Sequence, residues 1–206
     1  MCYMSIIYIR FFILGCEHMK IILASASERR QELLYRLVDD FDIEVSGFDE
    51  STVPFEGDID EYVKAVALGK ADDIRKSINE DALIISADTI VTQGNRILGK
   101  PKDKQDAFEM LKCLQGKSHF VYSGIVVINT KTDVTKAESL STKVTFSKIS
   151  DKEILEYIET GEPLDKAGSY GIQGRGGVFV EEIEGCYYNV VGLPLNKLKS
   201  MLDEVK

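Results

Sequence analysis

The sequence predicts a mixed α/β fold with two lobes around a cleft, and three observations point to it. An apolar run, Leu83-Ile84-Ile85-Ser86-Ala87-Asp88-Thr89-Ile90-Val91, reads as a buried central strand. Short apolar runs alternate with amphipathic helix patterns as far as Gly116, and beyond it the pattern turns strand-rich. With 206 residues, 44% apolar and 29% charged, the chain can bury a substantial core and lacks the composition of a disordered one.

Taken in order, Met19 to Ala24 reads as a short buried strand. It runs directly into a helix opened by Ser25 and Glu28, which match a capping box, with Leu33, Leu34, Leu37 and Val38 as the apolar stripe. Two hydroxyls, Ser25 and Ser27, and two guanidiniums, Arg29 and Arg30, therefore sit at a strand-to-helix turn. Such a turn either holds phosphate or is an ordinary capped helix with solvated arginines. Ile43 to Val45 reads as a second strand whose exit carries Asp49 and Glu50, a pair for a hard cation or a solvated turn.

A helix beginning near Asp58 or Asp60 runs to about Ile78, with Tyr62, Val63, Val66 and Ile74 on its apolar face. Lys70 falls on that face, where it either snorkels or reaches toward an anion. In the central strand Asp88 needs a partner, a metal ion or a proton, unless it caps a turn at the strand end. Thr92 to Arg96 is a turn, and Pro101 holds Lys100 extended at a rigid corner suited to phosphate.

Asp103 caps a helix through Leu114, which Gly116 stops. Phe120 to Ile128 is a strong strand, Asn129 to Asp133 turns it, and Thr142, Val144 and Phe146 alternate on the return strand. Ser150 and Glu153 form a second capping box for a helix that ends at Gly161-Glu162-Pro163. A long loop from Leu164 to Gly177 follows, whose Tyr170 and Gln173 offer a ring and an amide to a planar base. Val178 to Ile183 and Cys186 to Val191 read as a hairpin through Glu184-Gly185, before a last helix bearing Leu198 and Leu202.

Composition excludes several functions. The net charge of -9 opposes a broad nucleic-acid or anionic-membrane footprint. The four cysteines are scattered and there are two histidines, so no CxxC, HExxH or zinc cluster exists, and free thiols in a reducing cytoplasm are expected. Gly116-Lys117-Ser118 has the tail of a Walker A loop, but Leu111 stands where its first glycine belongs. Residues 1–18 are apolar around Arg10, with uncharged runs too short to span a bilayer. They are expected to be an extension before a domain over 19–206, with a membrane anchor as the lesser reading.

Separated segments then share one resemblance. Leu23-Ala24-Ser25-Ala26-Ser27-Glu28-Arg29-Arg30, Ser86 to Val91, Gly99-Lys100-Pro101, Lys166 to Gly174 and Val190-Val191-Gly192-Leu193-Pro194 resemble, in order, the Maf family of nucleotide pyrophosphatases. The resemblance implies a Maf and inosine-triphosphatase type of fold, an elongated curved mixed sheet with flanking helices and the active cleft between two lobes. It implies hydrolysis of a nucleoside triphosphate to the monophosphate and pyrophosphate with a divalent metal, Mg²⁺ or Mn²⁺. Asp88 corresponds to the general base, and Glu50 with Asp88 to the metal-site carboxylates. Arg29, Thr89 and Gln173 match specificity positions, and Ser25, Arg30, Lys70 and Lys100 fall where phosphate contacts are expected.

The loop Lys166-Ala167-Gly168-Ser169-Tyr170-Gly171-Ile172-Gln173-Gly174 is similar to the branch acting on dTTP and UTP, with Ser169 where many members have Ala. That small change is not expected to remove base recognition. The resemblance also implies a homodimer and a role in clearing excess or modified pyrimidine nucleotides. The alternatives are a 7-methyl-GTP or broader pyrophosphatase, and a non-catalytic nucleotide-binding regulator of cell division, since the family is also associated with inhibition of septum formation.

Overall fold

The central strand of this computed structural model, which describes residues 19–205, is longer than its apolar run: β3 spans Ala82–Gln93 and is buried along most of its length. Residues 1–18, expected to lie outside the domain, are outside the described residues. Before β3 come β1 (Lys20–Leu23), α1 (Glu28–Leu34), β2 (Asp42–Ile43) and α2 (Ile59–Ser77). After it come β4 (Arg96–Leu98), α3 (Lys104–Leu114), β5 (Ser118–Asn129), β6 (Val134–Phe146), α4 (Asp151–Glu159), β7 (Val180–Glu184), α5 (Tyr187–Val191) and α6 (Leu195–Glu204). The strands form one mixed sheet in the order β2-β1-β3-β5-β6-β7, with β4 paired to β3. β1 runs parallel to both neighbours, and the other pairs are antiparallel.

Alternation along the strands sorts the core. Ile84, Val126 and Ile128 face α2, where Ala67, Ala71 and Ile74 cover them. Their neighbours Ile85, Ile125 and Val127 point to the other face, under Leu33 and Leu34 of α1 and Leu198 and Leu202 of α6. A second lobe gathers Val91, Leu111, Val144, Phe146, Ile154 and Phe179 beneath α3 and α4. Each such aliphatic or aromatic side chain contributes about 2 kcal/mol of burial. The expected mixed α/β architecture with flanking helices is the one formed.

Caps read from the sequence hold where they are local. Asp103 and Ser150 each accept the predicted backbone N–H, and Ser150 with Glu153 completes its capping box; of the two candidate starts of α2, Asp58 is the cap. Two readings need correction. The cap of α1 is Ser27, not Ser25; the Ser25 hydroxyl instead accepts from the Ser27 N–H at 3.2 Å and from Arg30 at 3.3 Å. The hairpin's second strand is the short helix α5, and β7 pairs with β6 instead.

The β-branched and aromatic composition of Tyr187 to Val191 suggests a strand, but a buried amide decides otherwise. Asn189 is fully buried, and its Nδ2 donates to the Val121 carbonyl at 2.9 Å and to Thr142 Oγ1 at 3.0 Å. Gly185, at φ +128°, makes the tight reversal that delivers it there.

Candidate active site

One edge of β3 has a gap. β1 covers it as far as Ile85, β4 resumes the pairing at Val91, and between them the strand faces a cleft of about 600 Å³. All the site residues expected from the sequence line this cleft: Ser25, Arg29, Arg30, Glu50, Lys70, Asp88, Thr89, Lys100 and Gln173. Asp165 and Lys166, which sequence reasoning missed, line it too. Five cationic side chains (Arg29, Arg30, Lys70, Lys100, Lys166) thus meet three acidic ones (Glu50, Asp88, Asp165), on a chain whose net charge is -9. The local excess of positive charge suits a polyphosphate.

The acidic corner is organised by α2. Ser86 Oγ donates to the Ala67 carbonyl at 2.6 Å, pinning the helix to β3. The ring of Phe48 lies against Gly69, where a Cβ would stand 2.3 Å from it, so the Gly47 to Ser51 turn is seated on the same helix. Lys70 then projects between two carboxylates, with its Nζ 2.7 Å from Asp88 Oδ1 and 2.8 Å from Glu50 Oε1. It does not snorkel to solvent. Asp49, the other acid at this turn, is occupied as the cap of the turn Glu50–Thr52, accepting from the Ser51 N–H and hydroxyl. Burial, helped by Asp88 and Glu50, pushes the phenol of nearby Tyr62 up.

Asp88 and Glu50 converge on the Lys70 ammonium, and both are hard oxygen donors. Among the described residues no group of three or more His, Cys, Asp and Glu side chains forms a metal cage. The pair therefore fits an ion such as Mg²⁺, which takes one or two carboxylates and fills its shell with water and phosphate oxygens.

On the opposite face of β3, Arg30 ties three segments together. Its Nε donates to the Gly192 carbonyl at 2.9 Å, one terminal nitrogen to Ser25 Oγ at 3.3 Å and the other to Thr89 Oγ1 at 3.0 Å. Burial pulls the guanidinium's pKa down, and Asp88 opposes that. Thr89 also pairs with Ser123 Oγ at 2.9 Å, which in turn donates to the Asn189 carbonyl, so its hydroxyl retains one lone pair for a ligand.

The second lobe closes the cleft. Arg29 reaches Asp165 Oδ2 at 3.1 Å, and Lys166 Nζ binds Asp165 Oδ1 at 2.6 Å and the Glu162 carbonyl at 2.7 Å. Burial opposes ionisation of Asp165, but Lys166 and Arg29 outweigh it and hold the carboxyl below its usual range. Gln173 is exposed on the cleft wall. Lys100 is exposed at the neighbouring corner, whose Gly99 carbonyl accepts from the Gly168 N–H at 3.1 Å. Ser169 is fully buried, and its Oγ lies 3.1 Å from Met110 Sδ in the core beneath α3.

Tyr170 offers a base little of its ring. It is 6% exposed, and its hydroxyl pairs with His119 Nε2 at 2.8 Å within an aromatic cluster that includes Phe146. Burial drives the His119 pKa from 6.5 down to about 4. The unfolded chain therefore binds a proton that the folded one refuses between these values, so this group's contribution is intact above pH 6.5 and lost as pH falls toward 4. The loss is expected to be roughly 3 kcal/mol. Urea unfolding against pH, compared with His119→Gln, should show a shallower decline in the variant; identical slopes would contradict it.

A sequence model of the family described as "Maf-like protein" matches residues 20–205. The chain belongs to this Maf-like family. A dTTP/UTP pyrophosphatase of Clostridium beijerinckii is 71% identical, over 91% of this chain and 100% of its own length. Another relative, the dTTP/UTP pyrophosphatase of Clostridium novyi, is 59% identical over 91% of this chain and 98% of its own. Among solved structures, a HAM1 protein from Coxiella burnetii aligns with 91% of this Maf-like chain and 100% of its own at 14% identity, with a TM-score of 0.48. Cys113 and Cys186 are free thiols, and no helix among the described residues is long and apolar enough to cross a membrane.

Proposed function

We propose that this Maf-like protein hydrolyses dTTP and UTP to the nucleoside monophosphate and pyrophosphate. The observation that carries the reading is the convergence of Asp88 and Glu50 on the Lys70 ammonium, in a cleft whose other walls bear Arg29, Arg30, Lys100 and Gln173. The names of its relatives support the choice of substrate.

Cleavage between the α- and β-phosphates needs an activated water, a fixed polyphosphate and neutralisation of the charge that develops on the phosphate oxygens. Asp88 is 7% exposed, so little bulk water competes for its carboxylate, and it serves as general base toward the attacking water. Lys70 holds Asp88 and Glu50 in place and adds positive charge beside the phosphates. Arg30 is fixed by its three bonds, leaving further N–H groups for phosphate oxygens, with Ser25 alongside. Asp88 and Glu50 would hold a divalent cation, which would supply charge neutralisation beside the phosphates.

Incubation with dTTP, UTP, CTP, 7-methyl-GTP and ATP, with Mg²⁺ or Mn²⁺ and with chelator, tests the whole reading. It expects metal-dependent release of dTMP or UMP with pyrophosphate. Nucleotide binding without product would return the protein to the class of regulators.

Base choice is assigned to Gln173, together with Arg29 and Thr89 of the same cleft. Its amide can accept from the N3–H of uracil or thymine and donate to O4. Replacing a built polar partner removes discrimination rather than chemistry. Gln173→Leu is expected to lower kcat/KM for UTP by about 100-fold and bring the UTP to CTP ratio near one. A substrate panel showing the wild-type ratio in that variant would remove Gln173 from the assignment.

A further inference from the structure

Gln173 stands on an exposed loop, and something must hold that loop if its amide is to read a base. The sequence around it is rich in glycine, which by itself predicts mobility. The structure shows a different use for those glycines. Glu162, on the turn Glu162–Asp165, turns its carboxylate into the loop. Its Oε2 accepts from the Arg175 N–H at 2.9 Å, and its Oε1 from the Gly176 N–H at 3.2 Å and the Tyr157 hydroxyl at 2.8 Å. Tyr157 Oη in turn accepts from the Gly171 N–H at 3.1 Å.

The glycines make room for this clasp. A Cβ at Gly174 would lie 2.4 Å from Glu162 Oε1, and one at Gly176 would lie 2.6 Å from Tyr157 Oη. At Gly171 it would meet Lys166 Cε at 2.7 Å and Glu162 Oε1 at 3.2 Å. Backbone on both sides of Gln173 is thus tied to one carboxylate and one phenol, neither of which lines the cleft. Tyr157 belongs to the buried core of the second lobe, its ring edge-on to Phe179 at 5.1 Å, so the clasp is anchored on rigid structure. The same turn also carries Asp165, the partner of Arg29, and the Glu162 carbonyl accepts from Lys166.

We propose that Glu162, through Tyr157, is the positioning residue for base recognition, holding the 171–176 loop so that Gln173 is presented at a fixed place in the cleft. The inference rests on the reading of this site as a dTTP/UTP pyrophosphatase. Glu162 does not line the cleft, so its removal should weaken selection of the base while the phosphate chemistry of Asp88, Glu50 and Lys70 continues.

The test is steady-state hydrolysis of UTP and CTP, with Mg²⁺, by the wild type, Glu162→Ala and Tyr157→Phe. Glu162→Ala is expected to lower the UTP to CTP ratio of kcat/KM by about 10-fold, through a raised KM for UTP, with kcat for UTP within about 3-fold of wild type. Tyr157→Phe keeps the ring in the core and loses only the hydroxyl, so it carries the test if Glu162→Ala does not fold. It should lower the ratio by about 3-fold. A merely structural lesion would reduce the active fraction for both nucleotides equally and leave the ratio alone. An unchanged ratio in the folded variants, with a wild type that prefers UTP, overturns the clasp and leaves the dTTP/UTP reading standing. A wild type with no preference for UTP overturns both.

Discussion

Asp88→Asn is expected to lower turnover of dTTP and UTP by about 1,000-fold while the protein stays folded. The substitution keeps the shape of the side chain at a site that is 7% exposed, so it opens no cavity. On the proposed mechanism it removes the negative charge that would bind a cation and the lone pair that would accept the proton from water. Lys70 retains Glu50 at 2.8 Å, so the ammonium is not left alone in the cleft. The stability change should accordingly stay near 1–2 kcal/mol. Product formation by the purified variant, beside its thermal unfolding, separates the two effects. Activity within tenfold of wild type in a folded Asp88→Asn would take the general base away from Asp88.

Gly124→Ala is expected to have the largest effect on stability. Gly124 lies directly opposite Asp88 in the β3–β5 register, and α2 crosses the sheet there. A Cβ at this position would stand 2.2 Å from the Val63 carbonyl oxygen and 2.8 Å from the Lys64 nitrogen. Both are helix backbone, which has no rotamer with which to step aside. The helix must lift from the sheet, and the cost should reach 3 kcal/mol or more. Because α2 also carries Lys70, the lift would stretch the 2.7 Å contact with Asp88, so activity should fall with stability. Urea unfolding within 0.5 kcal/mol of wild type would show that the helix packs less tightly than described.

Much of the site was legible because its chemistry is written in local runs. Asp88 stands out in an apolar strand, and Ser25, Arg29 and Arg30 share one strand-to-helix turn. Lys100 precedes a proline, and Gln173 lies in a glycine-rich loop. Each signal needs only a few neighbouring residues to be recognised. The caps at Asp103 and Ser150 were legible for the same reason, since a capping side chain and its N–H are three residues apart.

What escaped has partners far along the chain. Asp165 meets Arg29 across 136 positions, and nothing near either residue announces the pair. Asn189 turns its segment into a helix because Val121 and Thr142 wait for its amide, while its own neighbours favour a strand. Tyr170 was expected to face a base, but His119 and Phe146 claim it for the core.

The sequence by itself determined the α/β class, the central strand, the helix caps and the kinds of groups gathered for a phosphorylated substrate, because these follow from side-chain pattern and short-range hydrogen bonding. Only the tertiary structure decided how the groups meet. β1 leaves β3 at Ile85 and β4 joins it at Val91, and the gap between them lets helix, turn and loop residues converge beside Asp88. Where a strand ends relative to its neighbour is set by packing across the whole sheet, so no local stretch of the chain records it.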